Sequence, residues 1–258
     1  KDSMWFIIYQ LILRYRLELG SIEFRKELDN LQPDGIETQT LIEILKMYLN
    51  YDVGKYEITL YQIDKIREQI KNINDPFLTL SFSARLEEVL LNIYLKQENN
   101  IEKARRSARI LLKDDISLNL NLQAFYTLGL SYMTESYKTS LRYYQKCIEI
   151  LKEHPDRMKE LIQNKEEIAI LQKFWNEPID EQYQVTSFSK ALAAEKGLAS
   201  FYEDDYYRKY ALLIDGINEK SKEKLLLSLY LFTEKNDKFR ANLPKIHLIK
   251  LGIDFNMD

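Results

Sequence analysis

Residues 121–151 read NLQAFYTLGLSYMTESYKTSLRYYQKCIEIL, and this stretch predicts two helices that pack closely against each other. Its apolar side chains recur about every 3.6 residues, which is the period of one helix face. Small residues, namely Gly129, Ser140 and Cys147, stand where two crossing helices approach most closely, and large ones such as Tyr144 stand beside them. The pattern therefore indicates a helical hairpin with its own packing contact.

Looser copies of this hairpin come earlier in the chain. Ala104 and Ala108 occupy small positions in the preceding copy, and Ala104 lies 36 residues before Ser140 (140 − 104). That distance is near the roughly 34 residues of a tetratricopeptide repeat. The sequence therefore predicts an all-α chain, a right-handed superhelix of degenerate tetratricopeptide-like helix pairs. An irregular helical bundle is the alternative.

Composition agrees with a helical chain that has a sizeable core. Of the 258 residues 45% are hydrophobic and 30% are charged, while only 7 are glycine and 5 are proline. Sheet proteins use glycine and proline in their many turns, so their scarcity favours helices joined by short loops. The net charge of −3 gives no general attraction to nucleic acid or to acidic membranes. We expect no membrane segment, because the apolar runs are too short to cross a bilayer.

The sequence lacks the residue patterns of familiar catalytic sites. The two histidines, His154 and His247, have no metal-ligand spacing, and the single cysteine, Cys147, is expected to be a buried packing residue rather than a nucleophile. No phosphate-binding glycine loop is present. The adjacent acids Glu166 and Glu167 are interpreted as part of a solvated helix face. We therefore predict no enzyme activity, no metal and no cofactor.

A polar stripe at helical spacing is the best binding signal from the residues alone. Arg85, Glu88, Asn92 and Lys96 are separated by 3, 4 and 4 positions, so they share one face of a first helix of a repeat. First helices line the concave side of a tetratricopeptide array. An asparagine can both donate to and accept from a peptide amide. The stripe therefore predicts peptide binding, and a simple solvated face is the alternative.

Several segments resemble a known family of receptors. These segments are Ala104–Leu112, Tyr126–Tyr132, Tyr137–Lys146, Phe174–Glu177 and Asp237–Pro244. They are similar to the peptide-sensing quorum receptors of Firmicutes and their phages, and the last two are most similar to the arbitrium receptors of Bacillus phages. The resemblance extends over nearly the whole chain, although general tetratricopeptide features explain part of it.

The resemblance implies a cytoplasmic regulatory domain that acts in a bacterial host cell. Such receptors join an N-terminal helix-turn-helix domain to a sensing domain, form homodimers and control the lysis–lysogeny decision in response to a short communication peptide ending in Arg-Gly-Ala. Residues 1–20 predict a helix without a basic recognition segment. We therefore expect 1–258 to be the peptide-sensing and dimerisation domain, to contact DNA only through a missing N-terminal domain, and to dimerise through a helix at 239–251.

The resemblance also suggests residues that would contact the peptide. Its arginine would need an acid, for which Glu177 and Asp237 are the candidates. Its backbone and carboxylate would need donors, and the candidates are Arg85, Asn92, Arg105 and Asn121. Arg105 lies in a second helix, which usually faces away from the groove. The alternative function is a protein-interaction scaffold or a regulator that binds response regulators, and neither would respond to such a peptide.

Overall fold

A computed structural model of the chain describes residues 3–17 and 20–255. Over these residues it contains thirteen α-helices and no strand, so the predicted all-α class is confirmed. The helices are α1 Met4–Leu17, α2 Ser21–Asn30, α3 Ile36–Asp52, α4 Tyr56–Ile70, α5 Pro76–Asn92, α6 Ile101–Asp114, α7 Leu118–Ser131, α8 Tyr137–Lys152, α9 Met158–Phe174, α10 Ser187–Ala194, α11 Arg208–Glu219, α12 Lys222–Glu234 and α13 Lys238–Lys250.

The chain forms two compact units. Unit 1 comprises residues 1–90 and 113–116, and unit 2 comprises residues 91–112 and 117–258. Within unit 1, α3 packs on α4, and α2 packs on α3. The core of this unit includes Phe24, Ile44 and Ile66, each almost completely buried.

Unit 2 holds the longer series of stacked helices. Helix α8 packs on both α7 and α9, and α12 packs on both α11 and α13. After α5 ends, one turn of π-helix follows at Ile93–Gln97, and α13 packs against it. Successive helices thus pack on their sequence neighbours, as expected for helix pairs of a repeat protein.

The predicted α7–α8 hairpin is confirmed in atomic detail. A Cβ added to Gly129 would lie 3.0 Å from the ring of Tyr144, so only glycine allows this crossing without displacement of the ring. The hydroxyl of Ser140 donates to the carbonyl of Gly129 at 2.7 Å. Cys147 is fully buried, as predicted. Small side chains therefore let the two helices approach closely.

The loops and caps follow local sequence rules. Ser117 and Ser136 accept hydrogen bonds from backbone amides at the starts of α7 and α8. The segment 176–186, predicted as a loop, contains only one turn of 3-10 helix. The helix predicted over 1–20 is present as Met4–Leu17, while residues 1, 2, 18 and 19 lie outside the described part of the chain.

Candidate functional site

Two residues of the predicted stripe lie in unit 1 and interact with one tyrosine. Arg85 and Glu88 are on α5, and the hydroxyl of Tyr48 on α3 donates to Glu88 Oε2 at 2.5 Å. Burial, reinforced by the charge of Glu88, raises the pKa of Tyr48 well above its ordinary value, while Arg85 acts in the opposite direction. The tyrosine therefore stays protonated and holds the carboxylate in place.

The other two stripe residues, Asn92 and Lys96, lie in unit 2. Asn92 Oδ1 accepts a hydrogen bond from Gln123 Nε2 of α7 at 3.3 Å. Asn121 lies half-buried one turn before Tyr126 on the same helix. Helices α5 and α7 thus bring the amide side chains of Asn92 and Gln123 together.

Arg105 is buried and held within the protein. Its guanidinium donates to the hydroxyl of Ser131 at 3.0 Å, to the Ser131 carbonyl at 2.7 Å and to Glu135 at 2.9 Å. It also stacks over the ring of Tyr132, 3.5 Å from the centroid. This geometry favours a role for Arg105 in packing α6 against the end of α7 over a role in ligand binding.

The two acids predicted to meet a ligand arginine lie in different surroundings. Glu177 is exposed just after α9, and its backbone amide donates to the carbonyl of Gln172. Asp237 is half-buried and caps α13, where its Oδ1 accepts the backbone amide of Arg240 at 2.9 Å. Its Oδ2 accepts Nη1 of the same residue, also at 2.9 Å. The arginine bound by Asp237 is therefore one of this chain.

That arginine is the centre of a buried polar group that the sequence analysis missed. Arg240 is 6% exposed, and its Nη2 donates to Glu167 Oε1 and to the hydroxyl oxygen of Tyr126, both at 2.7 Å. Tyr126 in turn donates to Glu167 Oε1 at 2.7 Å. We call Arg240, Glu167, Asp237 and Tyr126 the Arg240 cluster. It joins α7, α9 and α13 inside unit 2.

The charges of the cluster stabilise one another. Burial alone would lower the pKa of Arg240, but Glu167 and the other neighbours raise it well above its ordinary value. Burial raises the pKa of Tyr126 well above its ordinary value as well. Arg240 is therefore a permanent cation, and Tyr126 remains a neutral hydroxyl that can donate to Glu167.

Two lysines interact electrostatically with the Arg240 cluster. Burial and the nearby charge of Arg240 lower the pKa of both Lys96 and Lys209. Lys209 Nζ lies over aromatic rings, 5.0 Å from the centroid of Tyr206 and 5.6 Å from that of Tyr210. Tyr206 is 41% exposed, so Lys209 lies beside a surface residue of unit 2.

The interpretation of Glu166 and Glu167 as a solvated face is wrong. Glu166 is 4% exposed and Glu167 is 2% exposed. Adjacent helix positions point in different directions, and here each direction is buried: Glu166 accepts from Thr186 and Tyr207, whereas Glu167 accepts from Arg240. One feature of the sequence could have indicated a buried acid. Arg240, a possible partner for such an acid, lies three residues after Asp237 in the family-like segment Asp237–Pro244.

The described residues contain no group of histidine, cysteine and acidic side chains arranged to hold a metal ion. None of their helices combines the length and apolar character needed to span a membrane.

Comparison with known proteins identifies relatives of this chain. Solved structures share the fold: one of selenomethionine phAimR superposes with a TM-score of 0.80 and 17% identity, covering 98% of this chain and 69% of that one. A structure of phAimR with ligand superposes with a TM-score of 0.68 and 17% identity, covering 96% and 78%.

Sequence comparison points the same way. An uncharacterized protein of Bacillus anthracis is 28% identical over 235 residues, which cover 88% of this chain and 83% of that protein. The AimR transcriptional regulator-like family matches residues 1–250. With nearly its whole length matched, the chain belongs to the AimR transcriptional regulator-like family.

Proposed function

We propose that this chain is the regulatory domain of a transcription regulator that binds a short linear communication peptide. The observation that carries the proposal is the family match over residues 1–250, joined to a fold shared with phAimR in a ligand-bound structure. The adjacent amide side chains of Asn92 and Gln123 support it, because a buried peptide backbone needs donors and acceptors for its own amides.

The regulator would act in the cytoplasm of a bacterial host and control the lysis–lysogeny decision of a phage. It would contact DNA through a helix-turn-helix domain outside this sequence, since the chain itself has a net charge of −3. It would work as a homodimer with α13 at the interface, where Ile249 is 53% exposed.

In unit 2, we propose that Asn92 and Asn121 hold the peptide backbone. Glu177 is the exposed candidate for pairing with a peptide arginine, because Asp237 is already paired with Arg240. Arg85 stays a predicted ligand residue within unit 1. Arg105 stays a weaker candidate, since its donors are used by α7 and the loop after it.

The test is calorimetric titration of the protein with synthetic hexapeptides that end in Arg-Gly-Ala. We expect saturable binding, a rise in melting temperature, and a loss of about tenfold or more in affinity for Asn92→Ala, equivalent to about 1.4 kcal/mol per decade. Asn72→Ala is the control, because Asn72 is exposed in unit 1, just after α4, and its side chain donates to the carbonyl of Glu68 in that helix.

Glu177→Gln should weaken the binding of peptides that contain arginine. It should leave unchanged the binding of peptides in which alanine replaces that arginine. Equal losses for both peptides would show that Glu177 does not recognise the arginine. No binding of any peptide, together with stable capture of a response regulator, would replace the proposal with the interaction-scaffold alternative.

A further inference from the structure

The outer face of helices α6 and α8 is basic, although the chain as a whole is acidic. From residue 98 to residue 153, the part that belongs to unit 2 holds eight lysines and arginines and five glutamates, a local charge of +3 (8 − 5). The whole chain has a net charge of −3. Positive charge is therefore concentrated in this part of unit 2, and the compensating acids lie elsewhere in the sequence.

Four of these cations are exposed and have no acidic partner among the residues that the structure describes. Arg106 and Arg109 are on α6, and Lys138 and Arg142 are on α8. Within the described ranges 3–17 and 20–255, none of their charged groups forms an ion pair, and Arg109 donates to a neutral group, the hydroxyl of Tyr132, at 3.3 Å. These four charges therefore face solvent.

The acids close to these cations are bound to other groups. Glu102 and Glu135 both pair with the buried Arg105, at 3.3 and 2.9 Å. Glu149 pairs with Lys146 at 2.8 Å, one turn further along α8. The positive charge of the outer face is thus not cancelled by the acids beside it.

The four cations lie in two short rows at helical spacing. Arg106 and Arg109 are three positions apart, and Lys138 and Arg142 are four positions apart, so each pair shares one face of its helix. A step of four residues advances about 6 Å along a helix, because the rise is about 1.5 Å per residue. The other side of each helix packs in the core of unit 2.

A tyrosine joins the two rows into one surface. Tyr132 accepts the hydrogen bond from Arg109 of α6, and its ring stacks on Tyr143 of α8 with 5.9 Å between the centroids. Arg142 is the residue next to Tyr143. The guanidinium of Arg105 lies over the ring of Tyr132, 3.5 Å from its centroid, and holds the ring in place. The rows of α6 and α8 are therefore neighbours.

Rows of unpaired cations suit a polymer of repeated negative charges better than a single small anion, which would meet only one or two of them. Three of the four cations are arginines, whose planar guanidinium groups bind phosphate oxygens through paired hydrogen bonds. The chain belongs to a family of transcriptional regulator-like proteins, and DNA is the polyanion on which such regulators act. These observations favour DNA over an acidic protein as the partner of this face.

We propose that the outer face of α6 and α8, with Arg106, Arg109, Lys138 and Arg142, contacts the phosphate backbone of double-stranded DNA. This inference goes beyond the proposed peptide binding. It also revises the expectation, drawn from the net charge of −3, that the chain contacts DNA only through a further domain. Net charge averages over the whole surface, whereas attraction within a Debye length of about 8 Å depends on the local charge.

The test is fluorescence anisotropy of two labelled DNA duplexes of unrelated sequence, titrated with the whole chain at several salt concentrations. We expect weak binding, with a Kd of about 10–100 µM, which is typical of contacts to phosphates alone. The logarithm of the affinity should fall with the logarithm of the salt concentration with a slope of about −3 to −4, since each of four phosphate contacts contributes about −0.9. Both duplexes should bind equally, because phosphate contacts do not read sequence.

Protein variants locate the contact. Arg106→Gln combined with Arg142→Gln should reduce the size of the salt slope by about two, because each lost phosphate contact removes about one. Arg106→Lys combined with Arg142→Lys keeps both charges and should keep the slope. The matched control is Lys222→Gln with Lys235→Gln, which removes two exposed charges at the ends of α12 and should leave the slope unchanged.

Several results would overturn the inference. Absence of binding at the lowest salt concentration, a slope of zero, or an equal loss in the control variant would show that this face does not contact DNA. Polyglutamate that competes as well as an unlabelled duplex of equal charge would replace DNA with an acidic protein as the partner. The wild-type salt series and the competition do not depend on how any variant folds. No peptide is present in these experiments, so their failure leaves the peptide-sensing proposal standing.

Discussion

Replacing Glu167 with glutamine removes the buried charge that balances Arg240. Glu167 is 2% exposed and Arg240 is 6% exposed, and their side chains meet at 2.7 Å. Glutamine keeps the shape and one acceptor but leaves the guanidinium with Asp237 as its one remaining ion-pair partner among the described residues. A buried cation that loses a counter-charge is strongly destabilising.

The magnitude follows from these contacts. Breaking a buried ion pair from one side costs about 3–5 kcal/mol, and the retained Asp237 bond places this change at the lower end, about 3 kcal/mol. For a cooperative unit of this size each kcal/mol lowers the melting temperature by about 2–4 °C, so we expect a decrease of about 6–12 °C in Tm.

Differential scanning calorimetry and urea unfolding measure the effect. The matched control is Glu149→Gln, which removes an acid from the exposed Lys146–Glu149 pair and should leave the melting temperature almost unchanged, because such surface pairs contribute little. A second variant, Glu167→Leu with Arg240→Met, should recover much of the loss, since apolar replacements of a buried pair are often neutral.

Equal melting temperatures for Glu167→Gln and Glu149→Gln would refute the reasoning. They would mean that Arg240 is compensated by solvent or by Asp237 alone, and that the Arg240 cluster does not connect α7, α9 and α13 energetically. A double variant as unstable as the sum of both single variants would likewise refute the coupling between Glu167 and Arg240.

Three further predictions follow from local contacts. Gly129→Ala should lower the free energy of unfolding by about 1–3 kcal/mol in urea titrations, because its Cβ would press on the buried ring of Tyr144; an unchanged midpoint would contradict this. Burial raises the pKa of Cys147 to about 12, so the native thiol should react with a disulfide reagent at about pH 8 only as fast as the protein unfolds, and rapid labelling would count against its burial. Ile249→Glu together with Leu251→Glu should convert a dimer to monomer on light scattering, whereas an unchanged dimer mass would place the interface elsewhere.

Part of the candidate site could be predicted from the sequence. Asn92 belongs to the polar stripe whose helical spacing is visible in the chain, but its hydrogen bond with Gln123 of α7 was not predicted. Asp237 was chosen as an acid that pairs with an arginine, and it does so, but the arginine is Arg240 of the same helix. The residue type of Asp237 indicated an ion pair with an arginine, but the sequence did not show which arginine would be the partner.

The sequence by itself determined the local structure of this protein. The period of apolar residues, the serine caps and the small residues at Gly129, Ser140 and Cys147 act within one helix or between neighbouring helices, so they can be recognised from nearby positions. For that reason the helical class and the α7–α8 hairpin were predictable.

Only the tertiary structure decided which charges are buried and what balances them. Arg240 bonds Glu167 across 73 positions and Tyr126 across 114, and no periodicity relates such distant residues. Glu167 looks like any solvated acid on a helix until α13 brings a guanidinium against it. A carboxylate is stable in the interior only when the fold supplies a partner, and that partner is set by the stacking of helices rather than by the residues around it in the chain.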